Sequence, residues 1–445
     1  MLSKHWDCLK VVAKMSKLEQ LINELCPDGV EYFALEELGS FYGGLTGKSK
    51  KDFENGNSKF ITYMNVYSNP SLQLEVSDKV MINENEKQNN VQYADILFTG
   101  SSETPNDCGM SSVLTQHTNE KLYLNSFSFG YRLNKPENFD VIYLKHLFRS
   151  HELRKQIIKT ANGVTRFNVS KVKMAKVQIP VPPLEVQIEI GKILDNFTEL
   201  TAELTAELTA RKQQYEYYRD KILTFEYDSV HWCKLDDVII SLNTGLNPRK
   251  FFRLNTDDAA NYYVTIREIR GGRIVPTAKT DRINDEALVL CNNRSNLEIG
   301  DVLFSGTGTI GETAVIMKYP WNWNIKEGVY AIKPNQNRIL PKFLRYLLTT
   351  TYIKTAYMKK VAGGTVKSIP MGELRKLIIP IPYPEDRKKS LAEQQRIVDI
   401  LDRFDKLCND MSGGLPAEIE ARQKQYEYYR DKLLKFKKKE AVENE

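Results

Sequence analysis

Residues 210–225 read ARKQQYEYYRDKILTF and residues 421–436 read ARQKQYEYYRDKLLKF, identical at 12 of 16 positions with an offset of 211. A chain that repeats a segment at this spacing is built from two copies of one supersecondary unit, and its fold must accommodate both. Upstream, Ile193-Leu194-Asp195-Asn196-Phe197 matches Ile400-Leu401-Asp402-Arg403-Phe404 at offset 207, so the second copy holds four more residues between the matches, about one helical turn. Weaker pairs extend the repeat: Ile179-Pro180-Val181-Pro182 with Ile379-Pro380-Ile381-Pro382, DILFTG from Asp95 with DVLFSG from Asp301, and Val30–Leu35 with Val230–Leu235. The order is domain, helix, domain, helix. A short helix predicted over Lys17–Leu25 places Leu18, Ile22 and Leu25 at the spacing of Tyr218, Ile222 and Phe225, so the duplication reads as circular.

The helices are the clearest local signal. From Ile190, apolar or aromatic residues recur at 190, 193, 197, 200, 204, 208, 215, 218, 222 and 225, steps of three and four with Arg211 in the single gap. The distal copy runs through Ile397, Ile400, Phe404, Leu407 and Met411, then Ile419, Tyr426, Tyr429, Leu433 and Phe436, and Gly413-Gly414-Leu415-Pro416 predicts a turn between two helices. Each seam alone would expose an apolar stripe, so the two are expected to pack on each other, antiparallel.

Between the helices lie short β-rich runs such as Lys59–Val66 and Tyr262–Ile266. Each globular segment ends in an amphipathic helical stretch, Tyr143–Thr160 or Lys342–Val361, then a Gly turn and a strand leading to the Pro-rich hinge. The expected class is α/β of mixed α+β character: two globular domains separated by two long helices packed as an antiparallel coiled coil, in a pseudo-two-fold circular arrangement. The expected boundaries are an extension at 1–14, an N-terminal helix at 15–26, globular domains at 27–180 and 228–380, the central helix at 181–227, a distal helical region at 381–437 and a charged tail at 438–445. Residues before Met15 have no counterpart in the repeat and read as an upstream extension, with Met15 the functional start.

At 445 residues with 41% hydrophobic and 27% charged residues, the chain has ordinary globular usage, which excludes a disordered or fibrous protein. No run approaches the roughly 18 apolar residues of a membrane span and no secretory leader is apparent, so a cytoplasmic, bacterial location without membrane contact is expected. Cys8, Cys26, Cys108, Cys233, Cys291 and Cys408 form no CxxC pair and read as reduced, packed thiols rather than a disulfide frame or metal site. The net charge of +6 is mildly basic and uneven. Residues 229–378 hold 22 Lys/Arg against 13 Asp/Glu, whereas residues 27–178 hold 18 against 17. A basic excess fits nucleic-acid contact without establishing it.

Two dissimilar globular domains, each followed by an Ile-Pro-x-Pro hinge and a long helix, resemble the specificity subunit of type I restriction-modification systems over essentially the whole chain. The residues that carry the resemblance are the hinges at Ile179 and Ile379, LAEQQRIVDIL from Leu391, the QYEYYRDK segments at Gln214 and Gln425, and Leu25-Cys26-Pro27-Asp28-Gly29-Val30. The central copy reads Leu184-Glu185-Val186-Gln187 and keeps the Glu-Gln pair of the second copy only in half. Thr201-Ala202-Glu203-Leu204, repeated as Thr205-Ala206-Glu207-Leu208, resembles the variable tetrapeptide array in the central helix of some members. By composition such a repeat is simply good helix-forming sequence. Each unit lengthens a helix by about 6 Å and turns its continuation by about 40°, so its copy number is expected to set the spacing between domains.

The resemblance implies that each globular domain is a target recognition domain reading a few base pairs of a bipartite, asymmetric site in double-stranded DNA. It implies two methyltransferase subunits docked on the helices and restriction/translocase subunits beyond them. It implies no cofactor in this chain, with S-adenosylmethionine, ATP and Mg in the partner subunits, and no catalysis here. Two motifs invite an enzyme reading. Gly43–Ser49 lacks the first Gly of a phosphate loop, that position being Tyr42, and GTGTIG from Gly306 is not followed by a clear βαβ unit. His5, His117, His146, His151 and His231 are isolated, and no HExxH or catalytic Asn-Pro-Pro-Tyr occurs.

DNA contact calls for Lys/Arg beside loops that also offer Asn, Gln, Ser or Thr. In the first domain the candidates are Lys48, Lys50 and Lys51; Ser101, Ser102, Thr104 and Asn106; and Thr165, Arg166 and Asn168. In the second they are Arg249 and Lys250; Arg267, Arg270 and Arg273; Thr307 and Thr309; and Lys367 and Ser368. For each of these a solvated surface residue is the competing interpretation. On the helices, Tyr215, Tyr218, Tyr426 and Tyr429 fall on the seam, which leaves Tyr217 and Tyr428 as candidates for docking a partner. The alternative function is a coiled-coil scaffold that binds protein without reading DNA. Two diverged inserts of about 150 residues count against it.

Overall fold

The computed structural model describes residues 15–226, 230–364, 366–409 and 413–440, and the side chains of Arg249 and Lys250 are outside it. The candidate extension at 1–14 also lies outside the described residues. The chain divides into two compact units, one of residues up to 203 together with 420 onward, the other of residues 204–419. One continuous helix, Leu184–Ile222, crosses the boundary. Each unit thus contains one globular domain, part of this central helix and part of the distal helical region.

Each globular domain is built on the same four-stranded antiparallel sheet. In the first unit the spatial order is Gly39–Gly43, Ser128–Leu133, Ile96–Thr99, Ser111–Val113. In the second it is Ile239–Thr244, Val329–Pro334, Val302–Ser305, Thr313–Val315. A second layer pairs Ser58–Ile61 parallel to Leu122–Leu124 in the first unit, and Asn261–Val264 parallel to Trp323–Ile325 in the second. The hinges become strands: Gln178–Pro180 lies antiparallel to Tyr32–Ala34, and Ile378–Pro382 to Val230–Lys234. Buried Ile179 and Ile379 lock these two-stranded ribbons into the cores.

In each unit, local chemistry divides two runs that the sequence presents as continuous. The β-rich run Lys59–Val66 ends as a strand at Ile61, because Thr62 turns extended and its side chain accepts the backbone N–H of Asn65 to start the helix Tyr63–Ser68. Thr265 does the same at the start of Ile266–Glu268. The helical stretch expected over Tyr143–Thr160 is two helices, Val141–Leu147 and His151–Ile158, separated at Ser150 with ψ of 151°. Its counterpart is likewise Pro341–Thr349 and Thr351–Met358, separated at Thr350 with ψ of 149°.

The distal region is two helices, Arg387–Asn409 and Leu415–Leu433, as its Gly-Gly-Leu-Pro segment predicts. In the first unit Phe197 stacks on Tyr429 with ring centroids 5.2 Å apart. In the second, Tyr218 stacks on Phe404 at 6.1 Å while Tyr215, one turn earlier, lies beside Asp405 and Cys408, so the helices run antiparallel there. Tyr215 and Tyr426 are buried. Tyr218 is exposed and Tyr429 half-buried, because each stacks on one ring across the seam and otherwise meets the neighbouring tyrosine of its own helix, at the seam's edge. The N-terminal helix, residues 15–25, buries Leu18 but leaves Leu25 exposed, so its seam is shorter than its spacing predicts.

The half-kept Glu-Gln pair has a structural explanation. Gln187 is buried, accepts the backbone N–H of Asp140 and donates to the carbonyls of Asn138 and Pro182. Gln394 is buried in the same role, accepting from Leu340 and donating to Arg338. The Glu partner in the second copy, Glu393, pairs only with exposed Arg396 on its own helix. The Gln anchors helix to domain, while the position that departs is a buried core residue, Val186, in the first unit and the partly exposed Glu393 in the second. Cys26, Cys108, Cys233, Cys291 and Cys408 are free and buried. No helix among the described residues is long and apolar enough to cross a membrane.

Candidate nucleic-acid interface

In both units one backbone frame brings two candidate loops together. Gly100 N–H donates to Phe127 O in the first unit, and Gly306 N–H to Gly328 O in the second. Gly100 O then accepts from Val169 N–H, and Gly306 O from Ile369 N–H. On this frame Ser101 pairs with Asn168, and Thr307 with Ser368, both antiparallel. The polar loop after the central strand and the loop before the hinge strand are therefore neighbours in each unit, although more than 60 residues separate them in sequence.

In the first unit these loops form the wall of an open cleft of about 640 Å³. Ser101, Ser102, Thr104, Thr165 and Arg166 line it, as do Tyr63, Met64, Tyr67, Glu103, Asp107 and Phe127, none of which the sequence singled out. The Arg166 guanidinium donates to the Ser101 hydroxyl at 3.0 Å and lies 5.9 Å from the centre of the exposed Phe127 ring. Tyr63 O–H donates to the Ser101 carbonyl at 2.8 Å. Asn168 is exposed on the paired strand, and Asn106 is exposed at the far end of the loop.

Two arginines set the shape of this cleft from behind. Arg154 donates to the carbonyls of Asn106, Cys108 and Gly109, and Arg149 to those of Val66, Tyr67 and Ser111. Burial pushes the Arg149 guanidinium down to about 10 and lowers Arg154 too, yet both keep their charge near neutral pH. Each fork of N–H donors satisfies carbonyls that a loop would otherwise leave to water.

Three candidate groups fall elsewhere. Lys48 is not available to DNA: its side chain is only 6% exposed, and its ammonium is held at 2.5 Å by both Glu86 and the Met81 carbonyl. An ammonium with two internal acceptors would lose both by turning outward. Lys50 and Lys51 are exposed on the short 3₁₀ helix Lys50–Phe53, apart from the residues lining the cleft. Arg249 and Lys250 sit in the helix Pro248–Phe251, and their side chains lie outside the described atoms.

In the second unit Thr307, Thr309, Lys367 and Ser368 are brought together, with Gly308 N–H donating to Lys367 O. Arg267 comes just after the Thr265 turn, at the place of Met64 in the first unit, and its guanidinium pairs with Asp281 at 2.8 Å. Arg270 and Arg273 belong to a hairpin, Ile269–Arg270 with Arg273–Ile274. Arg273 lines a different cavity, of about 740 Å³, with Lys342, Arg345, Asp402 and Asp405. The structure thus separates this arginine from the Thr307 loop.

Tyr217 and Tyr428 are each 62% exposed, and Lys221 and Lys432 stand over their rings at 5.9 and 6.0 Å. The two copies present the same aromatic and cationic pair to solvent. Nearby on the same helices, Arg219 and Arg430 cover the buried Tyr215 and Tyr426.

The family model for the type I restriction modification DNA specificity domain matches residues 27–211 and 231–421. The chain is 36% identical over 284 residues to the type I restriction enzyme EcoR124I/EcoR124II specificity subunit of Escherichia coli, covering 62% of this chain and 67% of that one. It is 30% identical over 274 residues to a putative type I specificity subunit of Mycoplasma pneumoniae, covering 60% of this chain and 99% of the relative. A solved structure described as the basis of complex assembly and conformational transition of the type I R-M system shares the fold, with a TM-score of 0.59 at 15% identity over 92% of this chain and 98% of that one. With both halves of the repeat matched, the chain belongs to the DNA specificity family of type I restriction-modification systems.

Proposed function

We propose that this chain is the non-catalytic, sequence-specific DNA-binding subunit of a type I restriction-modification complex. Each globular domain reads one half of a bipartite, asymmetric site in double-stranded DNA. Two methyltransferase subunits dock on the helices through surfaces that include Tyr217 and Tyr428, and restriction/translocase subunits join them. S-adenosylmethionine, ATP and Mg belong to those partners. The observation that carries this reading is the shared frame at Gly100 and Gly306: two equal scaffolds present different residues at the same place, as two readers of different sequences require.

The TAEL array lies mid-helix, with Leu204 and Leu208 half-buried. Deleting one four-residue unit shortens the helix by about 6 Å and rotates its downstream part by about 40°. The unread gap between half-sites is then expected to change by one or two base pairs, from the ~3.4 Å rise of the duplex.

The test is co-expression with the cognate methyltransferase and then methylome sequencing. Methylated adenines at a two-part motif that vanishes with the chain and is re-spaced by deleting one TAEL unit support the reading. A stable complex without chain-dependent methylation favours the scaffold alternative.

A further inference from the structure

The first unit's reading loop carries an insertion that the second lacks. Gly109 N–H donates to Thr99 O and Gly311 N–H to Ser305 O, so the loops open at Gly100 and Gly306 and close at Gly109 and Gly311. The first loop is four residues longer. Arg154 clamps the extra length through three carbonyls, and Lys354 stands at its place in the second unit, where the loop is short. The insertion is therefore held in shape rather than left to solvent.

Two carboxylates lie in that loop, and their environments differ. Asp107 is engaged internally, accepting from Tyr67 O–H at 2.9 Å and Thr104 O–H at 2.6 Å. Glu103 is exposed, lines the cleft and makes no hydrogen bond or ion pair among the described residues. Counted from the shared Gly, it occupies the position of Thr309 in the second unit. A free carboxylate on a surface that meets DNA is repelled by every phosphate within about 8 Å. Arg166 in the same cleft softens this repulsion, and a donor offered by the bases would satisfy the carboxylate itself. In the major groove those donors are cytosine N4 and adenine N6, and adenine places the N7 acceptor beside its amine, against a carboxylate.

We propose that Glu103 accepts a hydrogen bond from cytosine N4 and so sets one C·G base pair in the half-site read by the first unit. The proposal rests on the DNA-reading function above. Arg166, fixed by Ser101 and Phe127, flanks this reader with a positive charge.

The experiment is methylome sequencing of cells expressing the full chain with its methyltransferase, comparing wild type with Glu103→Ala, Glu103→Gln and Thr309→Ala. The wild-type motif should contain a C·G pair whose preference falls roughly ten- to a hundredfold in Glu103→Ala, at that position only. Glu103→Gln should move the preference toward A·T, because Gln pairs with adenine N6 and N7. Thr309→Ala should act, if at all, on the other half-site. An unchanged motif in both Glu103 variants overturns the proposal while leaving the subunit's function intact. So does a uniform rise in DNA affinity without a change of motif, the mark of a removed surface charge. Absence of chain-dependent methylation in the wild type overturns the proposal together with the function it rests on.

Discussion

The carboxylate of Asp431 accepts the backbone N–H of His151 at 3.0 Å, joining the helix Leu415–Leu433 to the first residue of a helix 280 positions earlier. In the second unit Asp220 accepts the N–H of Thr351 at 3.3 Å. Both aspartates come from the repeated YYRDK segment, and both capped helices begin just after an extended Ser150 or Thr350. Arg430 and Arg219 hold the carboxylates in place. The repeated segment therefore packs with its tyrosines and docks with its aspartate, which satisfies an N–H that a helix start leaves open and places a negative charge at the positive end of the helix.

Replacing Asp431 by Ala is expected to weaken the helix His151–Ile158 by about 1 kcal/mol, the usual cost of a lost helix cap. Hydrogen exchange of residues 151–158 checks it. Faster exchange there, with residues 351–358 unaffected, is the expected pattern, and Asp220→Ala should reverse the two. Unchanged exchange in both would mean that the contact contributes nothing.

His146 is buried between Asp195, 2.9 Å from Nε2, and the Tyr426 hydroxyl, 2.8 Å from Nδ1. Burial lowers its proton affinity, and nearby Lys145 and Arg430 add to this against the pull of Asp195. The unfolded chain takes up a proton near the ordinary value of about 6.5, whereas the folded state resists until lower pH. The unfolded state then binds more protons, so this contribution is present above that value and is lost as pH falls from it toward the folded value. The melting temperature of the first unit should drop on acidification through about pH 6.5. His146→Gln should flatten that slope; an equal slope in the variant would assign the effect to other groups.

Arg154→Lys installs the residue found at this place in the second unit and removes the planar fork that holds three carbonyls. A loss of about 2 kcal/mol is expected, as for hydrogen bonds made by a charged group. The change should be local. Proteolytic cleavage within residues 103–109 should accelerate, and DNA modification should fall more than overall stability does. Wild-type cleavage rates would show that the loop holds its shape without the clamp.

Tyr217→Ala and Tyr428→Ala remove exposed rings whose contacts are a lysine and a neighbouring tyrosine on the same helix. Stability should change by no more than about 0.5 kcal/mol. Methyltransferase binding, measured by titration calorimetry, should weaken by about 2 kcal/mol, the threshold of an aromatic hot spot. Full binding by the double variant would remove these residues from the interface.

Much of the architecture was legible because it is written in local periodicity. The three-four spacing from Ile190 and the Gly-Gly-Leu-Pro interruption specify helices wherever the chain goes, and the duplicated Ile-Pro-x-Pro and YYRDK segments specify two similar units. The strand-to-helix switches at Thr62 and Thr265 were less legible, since apolar runs of that length suit either structure until a side-chain cap decides.

The sequence by itself determined the repeat, the helical seam, the family and the loops from which readers are drawn, because each depends on residues close along the chain. Only the tertiary structure decided which loop residues can face a ligand. Lys48 reads as a basic loop residue until Glu86, 38 positions away, closes on it. Glu103 reads as an ordinary surface acid until Arg154, arriving from another helix, fixes its loop beside Arg166. Partners so distant in sequence are selected by folding, and a carboxylate's role depends on whether such a partner reaches it.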